Sequence, residues 1–125
     1  MLTTTVLIVD DNAEFRGRIK TLLSSENEIQ IVGEAGDGEQ AVSEAARLHP
    51  NVVLMDVRMP RMNGLEAARR LTGPSSEMKV ILMSQYDLDE YKQAAAASGA
   101  RDYVVKKTMM QRLIPAIRAA VSEPV

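Results

Sequence analysis

Polar residues that can bind a metal ion or a phosphoryl group stand directly after the apolar runs of this sequence. Asp10 and Asp11 follow VLIV, Asp56 follows VVLM, Ser84 follows VILM, and Lys106 follows YVV. Carboxylates without a neighbouring histidine or cysteine favour Mg²⁺ over zinc. A nucleophilic carboxylate, a cation and a hydroxyl around such an ion can receive a phosphoryl group, because that transfer depends mainly on positioning and charge neutralisation.

Each of these residues, taken alone, also has a purely structural interpretation. An acidic pair such as Asp10-Asp11 often caps the next helix, and an aspartate such as Asp56 before a turn is commonly just solvated. Ser84 alone would be a turn residue or a cap for the following helix, and Lys106 alone would be a surface charge. The functional interpretation therefore depends on whether the fold brings all five residues together.

The elements that must position these residues alternate between strands and helices. The predicted strands are Val6–Val9, Ile29–Val32, Val52–Met55, Val80–Met83 and Tyr103–Val105. Their continuous apolar character indicates burial on both faces, and the segments between them show helical spacing. This alternation predicts a flavodoxin-like α/β fold, with a doubly wound five-stranded parallel sheet in the order 2-1-3-4-5 and five helices.

Two helical segments carry more detailed expectations. Leu88, Tyr91 and Ala95 are predicted to form the buried face of the fourth helix. Pro115 lies within the fifth helical segment, where it removes a backbone donor and clashes with the preceding turn. We therefore expect either a kink at Pro115 or a helix that begins after Thr108.

The predicted strand order brings the polar residues to one place. Strands one and three are neighbours, and ligands of open α/β sheets bind in the crevice outside the carboxyl ends of the strands at that point. Asp10, Asp11 and Asp56 should therefore converge there, with Ser84 and Lys106 alongside. Adjacent carboxylates raise one another's pKa values, so a hard cation would relieve their repulsion.

Length and composition narrow the possible classes of protein. The 125 residues are expected to form one domain, residues 1–125, around one core. The net charge of −2 argues against nucleic-acid binding by this chain alone, and the lack of cysteine excludes disulfides and thiolate metal sites. We expect a cytoplasmic location without membrane contact, because the sequence shows no signal peptide and no apolar run of about 18 residues.

Four sequence blocks lie at the predicted strand ends: LIVDDN (7–12), DVRMPRMNG (56–64), ILMS (81–84) and GARDYVVKK (99–107). In this order and spacing they resemble the receiver domain of two-component response regulators, over essentially the whole chain. The stretches VGEAGDGEQAV (32–42) and MNGLEAARRL (62–71) most resemble the subfamily with a C-terminal helix-turn-helix DNA-binding domain, the NarL/FixJ/LuxR type.

The resemblance implies a role for each residue at a matching position. Asp56 would accept the phosphoryl group from a sensor histidine kinase. Asp11 and Asp56 would bind Mg²⁺ through their side chains, with the Arg58 backbone carbonyl as a third protein ligand. Asp10 would act through a metal-bound water, and Lys106 would pair with a phosphoryl oxygen.

The resemblance also implies a conformational switch. Ser84 would hydrogen-bond the phosphoryl group and move towards it, and the Tyr103 ring would turn inward into the vacated space. The charge added at Asp56 would favour one of two existing packings. The surface of the fourth helix, the fifth strand and the fifth helix would then change.

Some positions depart from the family pattern. Gln85 stands where the family usually has a small residue, and with Arg58 and Tyr86 it is expected to tune access to the site. Lys107 replaces a proline that many receivers have, so no cis peptide is assumed at the Lys106–Lys107 bond. His49 precedes Pro50 at a predicted helix end and is expected to be a surface residue.

The resemblance further implies partners. The phosphoryl donor would be a sensor histidine kinase, and a homodimer on phosphorylation is compatible with the family. DNA binding would require an output domain that is absent from this chain. Beyond self-phosphotransfer and slow autodephosphorylation, no enzyme activity is implied.

Three other classes of protein share parts of this pattern. A receiver-like module that signals through protein contacts alone is kept open by Gln85. A haloacid-dehalogenase-type phosphatase needs a second aspartate two residues after its nucleophile, where this chain has Arg58, which cannot act as an acid-base catalyst. A flavodoxin-like cofactor carrier would cradle phosphate in its first loop, where Asp10 and Asp11 repel anions and no glycine-rich loop occurs.

Overall fold

Five strands and five α-helices alternate along the chain in the computed structural model, which describes residues 3–73 and 76–122. The strands are β1 (Thr4–Val9), β2 (Ile29–Ala35), β3 (Val52–Asp56), β4 (Lys79–Ser84) and β5 (Asp102–Val105). The helices are α1 (Ala13–Leu23), α2 (Gly38–Leu48), α3 (Gly64–Leu71), α4 (Asp89–Ala97) and α5 (Met109–Ser122). A 3₁₀ turn, Lys106–Thr108, precedes α5.

The strands form one parallel sheet in the order β2-β1-β3-β4-β5, which confirms the predicted fold. The central strand β3 is buried along its whole length. Met55 of β3 pairs with Val9 of β1, and Asp56 pairs with Met83 of β4. Because β1 ends at Val9, the residues that follow β1 meet the end of β3 at the same edge of the sheet.

The sheet separates two layers of core side chains. Alternate residues of the central strands point to the face covered by α1 and α5, and the residues between them point to the face covered by α2, α3 and α4. Ile8 and Leu54, for example, contribute to the first layer, and Leu7 and Met55 to the second. Fully burying one such side chain stabilises the fold by about 1.5–3 kcal/mol. Because β1, β3 and β4 contribute side chains to both layers, both layers fix the ends of these strands, where the polar residues lie.

Strand β2 differs from its prediction. It continues through Gly33 and Glu34 to Ala35, instead of ending at Val32, and most of its residues are only half-buried. The reason is its position at the edge of the sheet, where the helices cover it less completely than they cover β3. Polar residues are tolerated there, so continuous apolar character is not required of β2.

The prediction that Leu88, Tyr91 and Ala95 form the buried face of α4 is also partly wrong. Leu88 lies just before the helix and is 43% exposed, Tyr91 is half-buried, and only Ala95 of this helix is fully buried. The helix is short and rich in alanine, so its contact with the sheet is made through a small side chain rather than through leucine.

Of the two alternatives expected for α5, a kink at Pro115 or a start after Thr108, the structure shows the second. This helix begins at Met109, directly after Thr108, and Pro115 lies inside it. Pro115 lacks the N–H that would donate a hydrogen bond to the Gln111 carbonyl, and both residues are exposed. None of the helices in the described part of the chain is long and apolar enough to cross a bilayer.

Candidate functional site

The ends of β1 and β3 bring three carboxylates together. Asp10, Asp11 and Asp56 each offer an oxygen atom that lies within 4.8 Å of those of the other two. Asp10 and Asp56 are buried, whereas Asp11 is exposed. The convergence expected from the strand order is therefore present, with two carboxylates beneath the surface and one on the solvent side.

The local structure of the chain fixes the orientation of Asp10. Its Oδ1 accepts a hydrogen bond from the backbone N–H of Asn12 at 2.9 Å, and its carbonyl accepts one from the Arg16 guanidinium at 2.5 Å. Asn12, and neither aspartate, caps α1, because its Oδ1 accepts from the N–H of Phe15 at 3.1 Å. The interpretation of the acidic pair as a helix cap is therefore wrong, and both carboxylates remain available to the site.

Lys106 reaches this cluster from the turn after β5. Its Nζ lies 2.9 Å from Asp10 Oδ2 and 3.4 Å from Asp56 Oδ2, and its side chain is only 14% exposed. The interpretation of Lys106 as a surface charge is therefore wrong. No cis peptide occurs in the described ranges 3–73 and 76–122, so the bond before Lys107 is trans.

The electrostatics of the site centre on Asp56. Burial raises the pKa of its carboxyl group above the ordinary value, and the negative charge of Asp10 raises it further. The Lys106 ammonium and the backbone N–H of Arg58 act in the opposite direction. The net effect is an increase in the pKa of Asp56, because burial outweighs the opposing effect of the Lys106 ammonium.

The donor set fits a hard divalent cation. Three carboxylates with no thiolate or imidazole among them are the ligand type that Mg²⁺ prefers. A cation would also offset the negative charge that Lys106 leaves uncompensated. The role of the Arg58 carbonyl as a further ligand stays a prediction.

Ser84 and Tyr103 are linked through the backbone of one residue. Ser84 is buried at the end of β4, and its Oγ accepts a hydrogen bond from the N–H of Tyr86 at 3.1 Å. The Tyr103 ring is 8% exposed, and its hydroxyl donates to the Tyr86 carbonyl at 2.6 Å. The sequence predicts only that Tyr86 tunes access to the site. Its hydrogen bonds to Ser84 and Tyr103 are made by the backbone, and backbone contacts cannot be inferred from the type of side chain. The alternative of Ser84 as a cap of α4 is wrong, because residue 88 occupies that position.

The residues expected to tune access line a cavity of about 240 Å³. The cavity is lined by Asp56, Arg58, Ser84, Gln85, Tyr86 and Lys106. Arg58 donates a hydrogen bond to the Tyr86 hydroxyl at 3.0 Å, and its guanidinium carbon lies 5.7 Å from the centre of that ring. The Tyr86 ring in turn stacks on Tyr91 of α4, with 5.5 Å between the ring centres. Arg58 therefore forms one side of the cavity, and Tyr86, in the loop after β4, holds it in place.

A close backbone approach shapes the loop after β3. A Cβ atom at Gly64 would lie 2.2 Å from the Asp56 carbonyl oxygen, and the Gly64 N–H donates to the Val57 carbonyl at 2.7 Å. Asn63 caps α3 by accepting from the N–H of Glu66 at 2.9 Å. Together these contacts return the chain tightly against the end of β3.

A further contact of the site is not predicted from the sequence. Phe15, assigned to the core face of α1, also lies beside the Lys106 ammonium, with 4.1 Å from Nζ to the ring centre. Its spacing with Ile19 is fully explained by packing, so no second signal pointed to the site. Outside the site, His49 is exposed at the end of α2, as predicted.

Comparisons with known proteins show the family to which the sequence is similar. The sequence pattern of the response regulator receiver domain matches residues 6–118. The transcriptional regulatory protein PdtaR of Mycobacterium tuberculosis is 45% identical over 120 residues, which are 94% of this chain and 56% of that protein. The uncharacterized transcriptional regulatory protein YxjL of Bacillus subtilis is 35% identical over 115 residues, which are 92% of this chain and 53% of that protein. This chain thus spans about half the length of these curated relatives.

Solved structures show the same relationship. A DNA-binding response regulator of the LuxR family from Staphylococcus aureus superposes with a TM-score of 0.86 at 25% identity, over 94% of this chain and 98% of that one. The resemblance to NarL- and LuxR-type regulators is therefore confirmed. Because the family pattern extends from β1 into α5 and the fold agrees with it, this chain belongs to the response regulator receiver domains of two-component signalling.

Proposed function

We propose that this chain accepts a phosphoryl group on Asp56 from the phosphohistidine of a sensor histidine kinase, in the presence of Mg²⁺. The observation that carries the proposal is the position of the Lys106 ammonium, 3.4 Å from Asp56 and 2.9 Å from Asp10, within a cluster of three carboxylates. This arrangement provides a nucleophile, a cation for the transferred group and a set of oxygen ligands for a metal ion.

The transfer would use these residues in distinct ways. An Asp56 carboxylate oxygen attacks phosphorus, the P–N bond to the histidine breaks, and the imidazole nitrogen leaves with the electron pair. The product is an acyl phosphate on Asp56. Lys106 then exchanges its contact with Asp10 for a phosphoryl oxygen. Mg²⁺, held by Asp11 and Asp56 with the Arg58 carbonyl, and by Asp10 through water, would supply charge neutralisation.

The new group would act on the output through Ser84. Its hydroxyl, which accepts from Tyr86 in this structure, would reorient to donate to a phosphoryl oxygen. Because the Tyr86 carbonyl also accepts from Tyr103, a movement of this loop changes the support of the Tyr103 ring. Each difference of about 1.4 kcal/mol between two packings changes their ratio tenfold, so a few such contacts are enough for a switch.

The same proposal includes a cytoplasmic location, a single domain over residues 1–125, and a homodimer formed on phosphorylation. Control of transcription would be exerted by an output domain outside this chain. Similarity to transcriptional regulators supports this part of the proposal.

A small phosphodonor tests the central claim. We expect acetyl phosphate with Mg²⁺ to add one phosphoryl group to the native chain, as measured by intact mass, and Asp56→Asn to abolish the addition. Asp89→Asn on α4, an exposed aspartate that is not part of the carboxylate cluster, serves as the matched control and should be modified as the native chain is. Addition to Asp56→Asn at the native rate would place the acceptor elsewhere.

A second candidate is a receiver-like module that signals without phosphate. The observation that favours it is Gln85, whose long side chain borders the cavity beside Ser84. A native chain that takes up no phosphoryl group under conditions in which a receiver of known activity does would support this second candidate.

A further inference from the structure

The Lys106 ammonium is enclosed on three sides. Two sides are the carboxylates of Asp10 and Asp56, and the third is the ring of Phe15, whose centre lies 4.1 Å from Nζ. The ring is 9% exposed and the lysine side chain is 14% exposed. A cation over an aromatic ring is attracted by the ring quadrupole, and the attraction is stronger where water is largely excluded.

The start of α1 fixes this ring relative to the site. The N–H of Phe15 donates to the Asn12 side chain at 3.1 Å, and the N–H of Asn12 donates to Asp10 at 2.9 Å. One helix cap therefore positions both the ring and the carboxylate that Lys106 contacts. A change in the first turn of α1 would displace both partners of the ammonium together.

The chemistry of a ring differs from that of a third carboxylate at this place. A carboxylate would bind the ammonium strongly and hold it away from an incoming phosphoryl oxygen. An aliphatic side chain would offer the charge no stabilisation. The ring attracts the cation without providing a charged acceptor, so Lys106 can exchange Asp10 for another oxygen while it keeps its contact with Phe15.

We infer that Phe15 is a positioning residue of the acceptor site, because its ring face holds the Lys106 ammonium beside Asp56. This inference rests on the proposed function and adds to it. The Arg18 guanidinium carbon is 6.0 Å from the same ring centre, at the outer limit of such interactions, and Arg18 is exposed. Lys106 is therefore the main cation that the ring stabilises.

The composition of the chain permits a direct test. Phe15 is the only phenylalanine, and the chain contains no tryptophan. Expression in a phenylalanine auxotroph supplied with mono-, di- or trifluorinated phenylalanine therefore changes this ring alone. Fluorine withdraws charge from the ring face and leaves the ring shape nearly the same. A packing role would be little affected, whereas a cation-holding role would weaken in steps.

We expect the rate of phosphorylation by acetyl phosphate and Mg²⁺ to fall progressively with the number of fluorine atoms, by roughly threefold to tenfold for the trifluorinated ring. The Tm of the same proteins should remain nearly constant. In a second readout, NMR, the ε-methylene protons of Lys106 should show an upfield ring-current shift. Phe15→Leu should remove that shift, and Phe15→Tyr should keep both the shift and most of the rate.

The outcomes separate this inference from the proposed function. Asp56-dependent phosphorylation with equal rates across the fluorinated series would overturn the role of Phe15 and leave the proposed function intact. If the native chain takes no phosphoryl group, the proposed function fails, and the NMR experiment decides the position of Lys106. Unshifted ε-methylene protons in the native chain would overturn the inference. Arg18→Ala, the matched control, should leave the rate and the shift unchanged.

Discussion

Asp56 has a carboxylate that is buried beside another carboxylate and shares its ammonium with it. Burial raises its pKa, so the folded chain binds a proton there more tightly than the unfolded chain does. The stability contributed by this proton is lost as the pH rises from the ordinary carboxyl pKa through the raised value. At neutral pH the ionised Asp56 therefore destabilises the metal-free fold.

Asp56→Asn removes this charge with little change in shape, and Lys106 keeps its contact with Asp10. We expect the free energy of unfolding in EDTA at neutral pH to increase by on the order of 1 kcal/mol, as measured by urea denaturation. Saturating Mg²⁺ should then stabilise the native chain more than the variant, which lacks a ligand. A variant that is less stable than the native chain in EDTA would contradict this account of the site.

The residue types of the site could be predicted because charged and hydroxyl side chains directly after apolar runs are visible in the sequence. The contacts of Phe15 and of the Tyr86 carbonyl could not. A ring at helical spacing is already explained by the core, and a carbonyl is present in every residue. Such contacts depend on distances between loops, which the order of residues does not specify.

Among the elements, the junction between β3 and α3 is the tightest near the site. A methyl group at Gly64 would meet the Asp56 carbonyl oxygen at 2.2 Å and the Val57 Cα at 2.9 Å, and neither backbone atom can move cheaply. We expect Gly64→Ala to lower the free energy of unfolding by roughly 2–3 kcal/mol. It should also slow phosphorylation, because the end of β3 is displaced.

Gly17 in α1 provides the control for Gly64→Ala. A Cβ atom there has no neighbour within 4 Å, so Gly17→Ala should raise the free energy of unfolding by about 0.5–1 kcal/mol through helix propensity. Urea denaturation of both variants measures the contrast. Equal effects of the two substitutions would show that the close approach at Gly64 is not a constraint.

Two ion pairs, both made by Glu34, join β2 to α1. Glu34 lies 2.9 Å from the Arg16 Nε and 2.9 Å from the Lys20 Nζ. The hydrogen bond from Lys20, followed by that from Arg16, lowers the pKa of Glu34 in spite of partial burial. The stability from this contact is therefore complete above the ordinary glutamate pKa of about 4.3 and is lost as the pH falls through the lowered folded value.

Glu34→Gln tests this connection between elements. We expect a loss of about 0.5 kcal/mol at pH 7, since exposed ion pairs contribute little, and a difference from the native chain that shrinks to zero in acid. Thermal unfolding as a function of pH gives the measurement. Glu39→Gln, an exposed glutamate for which the described residues show no ion pair, should change nothing at either pH. A loss that persists in acid would assign the effect to packing.

Buried elements agree with their predictions from the sequence better than exposed elements do. Strands β1, β3, β4 and β5 each lie within two residues of their apolar runs. The first three are interior strands that are covered on both faces, and β5, although it is an edge strand, buries Tyr103 and Val104. For the edge strand β2, the apolar pattern predicts an end at Val32, because Gly33 and Glu34 interrupt it. The partial exposure of β2 permits both residues within the strand. For α4, the helical spacing predicts Leu88 as a core residue, but Ala95 makes the contact with the core.

For the whole molecule, charge sets the expected behaviour towards nucleic acid. The chain carries 15 basic and 17 acidic side chains, so it has no net attraction for phosphate backbones. We expect no electrophoretic shift of duplex DNA at low salt, with or without acetyl phosphate. A salt-sensitive shift by this chain alone would contradict the assignment of DNA binding to an output domain.

The position of Asp56 at the end of β3 has a mechanical consequence. β3 is held by hydrogen bonds to β1 and β4 and is covered by a core layer on each face, so it cannot shift without disturbing both layers. The residues from Gln85 to Leu88 are exposed and belong to neither core layer. We therefore expect a phosphoryl group on Asp56 to leave β3 in place and to change the conformation of the exposed segment that faces it.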